Sequence, residues 1–420
     1  MPIRSISRMN RAVLMGINSP SLDGRSLPFH GILSSETMRL NKWTIAILFA
    51  ALCSGCIEPF EPLIEEESEV MVIDGKLSDT PGIQTITITR SSPYNNPRFQ
   101  PVSGCVVRVE DGLGSGVTFP ETGDGIYENT LEPGFMAAGK AYKLQVFTPD
   151  DETYESDYDS LLSCASIDDL SYEVEVQGTS NPDINYYGVR FYADVSGSME
   201  ESRNYMWTFE ETWEYVSTYP IQYIWDGVIL HDYTPRLHGF GICYLTSLLE
   251  NFEVGSSMQL EQNEFRHQPL YFVSNQSPRL QEKYSLLVSQ HSLSYNAYLY
   301  WEKMRAQAGD TGGLFETQPS SSRGNIYNIN DPDEKVLGYF YVSQVQENRI
   351  MVAEDFDFPI TGFDCPLDTA FNQEDFTLDY PIMYSISSFG RGSPYAYSYK
   401  ECHDCTYRGG VTTKPEYWDD

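Results

Sequence analysis

The sequence predicts a mainly β protein: an N-terminal immunoglobulin-like β-sandwich followed by a larger β-rich domain that carries one clear helix. Three observations carry that prediction. From Val70 onward, short runs alternate apolar and polar residues and are cut at close intervals by Gly, Pro, Asn and Asp, the pattern of antiparallel strands. Aromatic residues make up 14% of the 420 residues, enough Tyr and Phe to cover several pleated surfaces. One stretch, Ser292 to Ala308, keeps a helical spacing.

The elements follow in order. Val70 to Leu77 reads as the first strand and ends at the turn Asp79-Thr-Pro-Gly82, where Pro presets one dihedral and Gly supplies another. Gln84 to Arg90 alternates strictly, with Ile86 and Ile88 expected inward and the threonines outward. Cys105–Glu110, Gly116–Phe119, Gly125–Glu128, Tyr142–Phe147 and Glu152–Glu155 complete a set of short strands at the roughly 8–12-residue spacing of a sandwich, placed at residues 70–162. The Cys-Trp-Cys pattern of an antibody domain is not present, so the expectation concerns architecture. The second domain, 163–420, opens with the aromatic strands Tyr186–Val195 and Asn204–Glu210. In its helix Ser294 is the expected N-cap, Tyr298, Trp301 and Met304/Arg305 share a face, and Gly309 is the stop. A Gly/Ser-rich loop to Arg323 and a strand at Val336–Ser343 come next; no repeat period is visible.

Charge narrows the function classes. Sixty acidic residues against 27 basic ones give a net charge of −33, which argues against nucleic-acid binding, since phosphate recognition needs a basic face.

The first 55 residues read as a leader that is removed. Arg39 and Lys42 form a basic n-region, Trp43–Leu52 an apolar run too short to be a stable span, and Ser54-Gly55-Cys56 resembles the bacterial lipobox, with Cys53 standing where Leu is usual. Cys56 is therefore the expected lipidated residue. The leader carries six basic residues against two acidic ones, so its removal takes the charge from −33 to −37. Residues 56–69 hold two prolines and a run of glutamates and read as an acidic tether. An acidic stretch behind the lipidated cysteine also resembles the surface-export signal of Bacteroidetes lipoproteins. The expected location is the outer membrane, lipid-anchored and facing the cell surface.

Several segments together resemble one family. The lipobox with Cys56-Ile-Glu-Pro-Phe-Glu61, the strand Val72-Ile-Asp-Gly75, the helix Tyr298-Leu-Tyr-Trp-Glu302, the pair Gly324–Pro332 and Val336-Leu-Gly-Tyr-Phe340, and the ending Glu401–Gly410 with Lys414–Trp418 are similar to the domain-of-unknown-function 4249 lipoproteins of Bacteroidetes. That family has no assigned activity. Its members are typically encoded beside TonB-dependent outer-membrane receptors, so the resemblance implies a non-enzymatic accessory or ligand-capture partner of such a β-barrel. A structural subunit of a surface assembly and a carbohydrate-active or other hydrolase are the alternatives.

Candidate chemistry is sparse. Six cysteines remain in the mature chain: Cys105, Cys164, Cys243, Cys365, Cys402 and Cys405. An even number in an exported chain favours disulfides. Cys105 and Cys164, in or beside the first domain, are the expected pair there, and the other four are expected to clip the C-terminal tail to the second domain. Cys402-His-Asp-Cys405 is read as part of that clip, since it lacks the βαβ setting of a redox dithiol and a second pair of zinc ligands. Asp150-Asp-Glu152 with Glu155, Asp157 and Asp159, and Asn330–Glu334, are calcium candidates, though neither matches an EF-hand loop, and acidic turns on an acidic surface are the default. His30, His231, His238, His267, His291 and His403 are scattered, and neither a nucleophile elbow nor a phosphate loop is present. No catalytic residue, cofactor or metal is expected. Trp207, Trp213, Tyr215, Tyr219, Tyr223 and Trp225 form either core or an aromatic platform for a glycan or peptide, core being the commoner use.

Overall fold

The computed structural model describes residues 69–92, 98–179, 185–219, 221–237, 240–309, 323–370, 382–385 and 395–419. The leader, Cys56, all of the tether but Glu69, His30 and His238 lie outside the described residues. Of the described residues 53% are in strands and 9% in helical turns, so the protein is mainly β.

Alternation builds the first pair of sheets. In one, Met71–Ser78 pairs with Ile83–Arg90, which pairs with Ile126–Thr130. In the other, Val106–Asp111 and Thr153–Ser156 flank Ala141–Phe147. Their inward residues, among them Ile73, Ile86, Ile88, Val107, Leu144 and Val146, are fully buried in one shared core.

The expected boundary at residue 162 does not hold. Ile326–Asn328 adds to the edge of the second sheet beside Thr153–Ser156. Val336–Leu337 and Phe340–Ser343 pair in parallel with Met71–Ser78, and Phe340 and Val342 enter the first core. The first body is therefore residues 70–161 closed by 326–343. Alternation reports which face of a strand is buried but not which distant strand lies beside it, so a sequence window ends the domain too early.

The intervening residues, with those after 343, make a second body. A three-stranded sheet, Ser166–Gly178, Asn185–Gly197 and Asn263–Ser274, shares a core with a four-stranded one ordered Ile242–Ser256, Asn204–Val216, Tyr284–Ser292 and Val345–Val352. Half of the predicted aromatic platform is this core: Trp207, Trp213 and Tyr215 are buried, and the Trp207 indole N–H donates to the Gln290 Oε1 at 2.8 Å, while Tyr219, Tyr223 and Trp225 are half-buried outside it. A smaller five-stranded sheet runs from Leu230–Leu237 to Asp368–Ala370.

The helix spans Tyr295–Gly309. Ser292 ends the strand before it, and Ser294 caps it as expected, its Oγ accepting from the Ala297 N–H at 3.2 Å. Ala297, Tyr298, Tyr300 and Trp301 then pack on Tyr339 and Tyr341 from the first body and Met206 and Val254 from the second.

Disulfides join Cys243 to Cys405 and Cys365 to Cys402. They hold the C-terminal segment against the four-stranded sheet, where the Trp418 indole donates to Glu214 at 3.0 Å and the Tyr417 hydroxyl lies 2.9 Å from that of Thr212. The expected Cys105–Cys164 bond is absent. Both are buried free thiols, Cys105 in the first core and Cys164 in the second, so their placement in different bodies keeps them from pairing.

Candidate functional site

Residues that the sequence scatters over 270 positions meet at the seam between the two bodies. The inner face of Phe340–Ser343 feeds the first core, which turns Tyr339 and Tyr341 outward. The helix covers them: Tyr300 stacks on Tyr339 with ring centroids 4.5 Å apart, and Trp301 meets Tyr341 edge-on at 5.7 Å.

Two glycines let the backbones close here. Gly338 has φ +95°, and a Cβ on it would fall 1.9 Å from the Ile73 carbonyl oxygen; one on Gly324 would fall 1.6 Å from the Gly338 oxygen. Asn325 then binds Phe340 through both amide atoms, accepting its N–H at 2.9 Å and donating to its carbonyl at 2.7 Å. The four segments carrying the family resemblance in the body of the chain, around Ile73, Tyr300, Asn325 and Tyr339, are thus one construction.

The seam leaves a cleft of about 330 Å³ between Asp157–Asp159 of the first body, the helix, and Arg323–Asn325. Asp159 is spent on the fold: its Oδ2 accepts from the Val342 N–H at 2.9 Å, and burial raises its pKa above the usual carboxylate range. Burial, with Asp159 and Asp157 nearby, raises the pKa of Tyr339 far above that of an ordinary phenol, so its hydroxyl stays a donor. Lys303 and Arg323 bring positive charge to the same space. Sequence reasoning did not assign Tyr339, Asn325 or Lys303 to a site; the signals were the resemblance segments around Asn325 and Tyr339 and their Gly324/Gly338 pair, which marks close backbone approach.

Beside the seam lies a buried histidine. His291 Nε2 is 3.4 Å from the Lys76 ammonium and 3.0 Å from the Thr208 hydroxyl, and Nδ1 faces Ser343 Oγ at 3.4 Å. Burial, and secondarily the charge of Lys76, holds its pKa well below the ordinary value. His403, where Nε2 accepts the Ser398 N–H at 3.1 Å, is brought down to about 4 by burial. In the unfolded chain both titrate near 6.5, so below that pH the unfolded state binds protons that the fold refuses. Their contribution is complete above pH 6.5 and declines as pH falls toward the folded values. Going from pH 7 to pH 5 is expected to cost about 2 kcal/mol through His403 and to destabilise the fold in the same direction through His291. Denaturant midpoints at the two pH values check this, and His291→Gln should flatten the slope; an unchanged slope would contradict the assignment.

The other sequence candidates separate. The two calcium candidates do meet, Asn328 Nδ2 donating to Glu152 at 2.9 Å and Asn330 Nδ2 to the Asp151 carbonyl at 3.2 Å. Their carboxylates are taken up by the fold, Glu334 accepting from the Tyr154 hydroxyl at 3.0 Å as well as from Asn328. Among the described residues no group of three His, Cys, Asp or Glu is placed to hold a metal ion. His231 pairs with Asp226 at 2.7 Å on an exposed hairpin and His267 stacks on Tyr192, both away from the cleft. No described helix is long and apolar enough to cross a membrane.

A family model described as "Domain of unknown function (DUF4249)" matches residues 57–349. No curated protein matches the chain. A similar solved structure is the trypsin-activated alpha-2-macroglobulin of Escherichia coli, 9% identical, with a TM-score of 0.16. The match takes in 55% of this chain and 15% of that one, so the chain spans well under a fifth of its length.

Proposed function

We propose a function from one premise, that this chain belongs to the domain-of-unknown-function 4249 family: it is an outer-membrane lipoprotein, anchored through Cys56 and facing the cell surface, that captures a ligand for a TonB-dependent receptor without chemically changing it. The observation that carries the reading is the seam cleft. Four distant segments are spent on building it, two of them through glycines whose replacement by any other residue would clash. Six of its eleven lining residues are charged or amide side chains, a lining that suits a polar small ligand held on a rigid β scaffold. The leader and Ser54-Gly55-Cys56 supply the anchor, and the fourteen peptide links from Cys56 to Val70 reach at most about 50 Å, enough to hold the bodies clear of the lipid headgroups.

One observation favours the second reading, a structural subunit of a surface assembly. The strand Ser166–Gly178 ends a sheet, pairs on one side only among the described residues, and leaves Val174 and Val176 more than half exposed.

Mild detergent extraction of a tagged chain tests the proposal. A large β-barrel receptor should co-purify, and Cys56→Ser should move the chain from the membrane to the soluble fraction and lose the barrel. A chain that emerges alone from native membranes would overturn the receptor partnership.

A further inference from the structure

We propose that the seam cleft binds a neutral, polyhydroxylated ligand of one or two sugar rings, with the Tyr339 hydroxyl as its central donor. The inference deepens the capture reading and rests on it for physiological purpose, though not for its chemistry.

Tyr339 is the first reason. Its side chain is 5% exposed, and it lines the cleft beside Asp157, yet its hydroxyl makes no hydrogen bond with any described residue. Its oxygen is not among the buried side-chain atoms left without a partner, so it opens on the cleft, where water holds it until a ligand replaces that water. The fold fixes this hydroxyl, by stacking the ring on Tyr300, at a point where a ligand oxygen takes the place of water. Burial, with the neighbouring carboxylates, keeps it protonated, which makes it a donor toward hydroxyl, ether or carbonyl oxygen.

Charge is the second. Asp157 and Asp159 face Lys303 and Arg323 across one small volume, so the opposing fields largely cancel. A phosphate or carboxylate ligand would meet two carboxylates, and a cation would meet a lysine and an arginine. Short, fixed donors and acceptors of both kinds suit a molecule that carries many hydroxyls and no net charge, because every hydroxyl both donates and accepts. Lys303, which forms no ion pair among the described residues, and the exposed amide of Asn296 are available for this.

Shape is the third. At about 330 Å³ the cleft lies at the small end of the roughly 300–1,000 Å³ range of small-ligand sites. Leu299 is 43% exposed and Tyr158 51% exposed, offering apolar surface to the C–H face of a sugar ring beside the polar groups.

The full chain, purified in detergent, is titrated with maltose, cellobiose, lactose and diacetylchitobiose by saturation-transfer NMR and calorimetry, with galacturonic acid as an anionic and glycylglycine as a zwitterionic charged comparator. At least one neutral disaccharide should bind below 10 mM Kd, a range in which single weak sites are readable. Tyr339→Phe should weaken it about tenfold, the worth of one hydrogen bond, and Lys303→Ala should weaken it as well. Without ligand, Tyr339→Phe should melt at the same or a higher temperature, because the lost hydroxyl had no partner; a merely structural tyrosine would melt lower. No binding by any of the four sugars, binding indifferent to both substitutions, or a preference for either charged comparator would overturn the proposal. A dipeptide preference would end the sugar assignment while leaving the capture reading intact, whereas the co-purification experiment addresses that reading without reference to the ligand.

Discussion

Gly338→Ala is expected to destabilise the first body by on the order of 3–5 kcal/mol, near the top of what single substitutions do. Two costs combine. At φ +95° an alanine pays about 1–2 kcal/mol for the left-handed backbone alone. Its Cβ would also lie 1.9 Å from the Ile73 oxygen and 2.6 Å from the Ile73 carbonyl carbon. These are backbone atoms of a strand paired on both sides, so no rotamer change relieves the overlap; Met71–Ser78 and Phe340–Ser343 must separate. Gly134→Ala is the matched control, with φ +85° and open space around its Cβ, and should cost only about 1 kcal/mol. Denaturant midpoints of the two variants isolate the clash as their difference. Equal midpoints would mean that the parallel strand pair is not packed as described.

The second large effect concerns the bond between Cys243 and Cys405. It closes a loop of 162 residues, and the chain-entropy relation assigns such a loop about 5 kcal/mol. The double variant Cys243→Ser, Cys405→Ser should lose a stability of that order and release the C-terminal segment, because Tyr417 and Trp418 lie on the sheet downstream of the bond. Limited proteolysis should then cut within 406–419 before any other described region. The Cys365–Cys402 bond spans 37 residues, so its removal should cost less, about 4 kcal/mol. Cys105→Ser removes no bond and serves as the thiol control. A double variant as stable and as protease-resistant as the parent would contradict the clip.

Where one strand or one turn determines the outcome, the sequence suffices. Ile86 and Ile88 are fully buried as their alternation implies, and Ser294 caps the helix because a short side-chain oxygen at that position satisfies a free N–H whatever surrounds it. Contacts between distant segments are not legible in this way. Cys105 and Cys164 look like neighbours on a linear map and lie in different cores, while Ile73 and Gly338, 265 positions apart, touch. Tyr339 shows the same limit at the cleft. In the run Gly338-Tyr-Phe-Tyr341 nothing distinguishes the tyrosine that lines the cleft from the one sealed under Trp301; only the helix lying across them does.

The late arrival of Ile326–Ser343 sets the timetable by which this chain comes to be folded. Its first body is built almost entirely from residues 70–161, yet an edge strand of each sheet, and Phe340 and Val342 in the core, emerge some 165 to 180 residues afterwards. A chain delivered from its N-terminus must carry an open hydrophobic face until the residues between 161 and 326 have followed it. Such long-range closure is slow and leaves unpaired strand edges exposed meanwhile. A truncation before residue 343 therefore removes the pieces that finish its beginning.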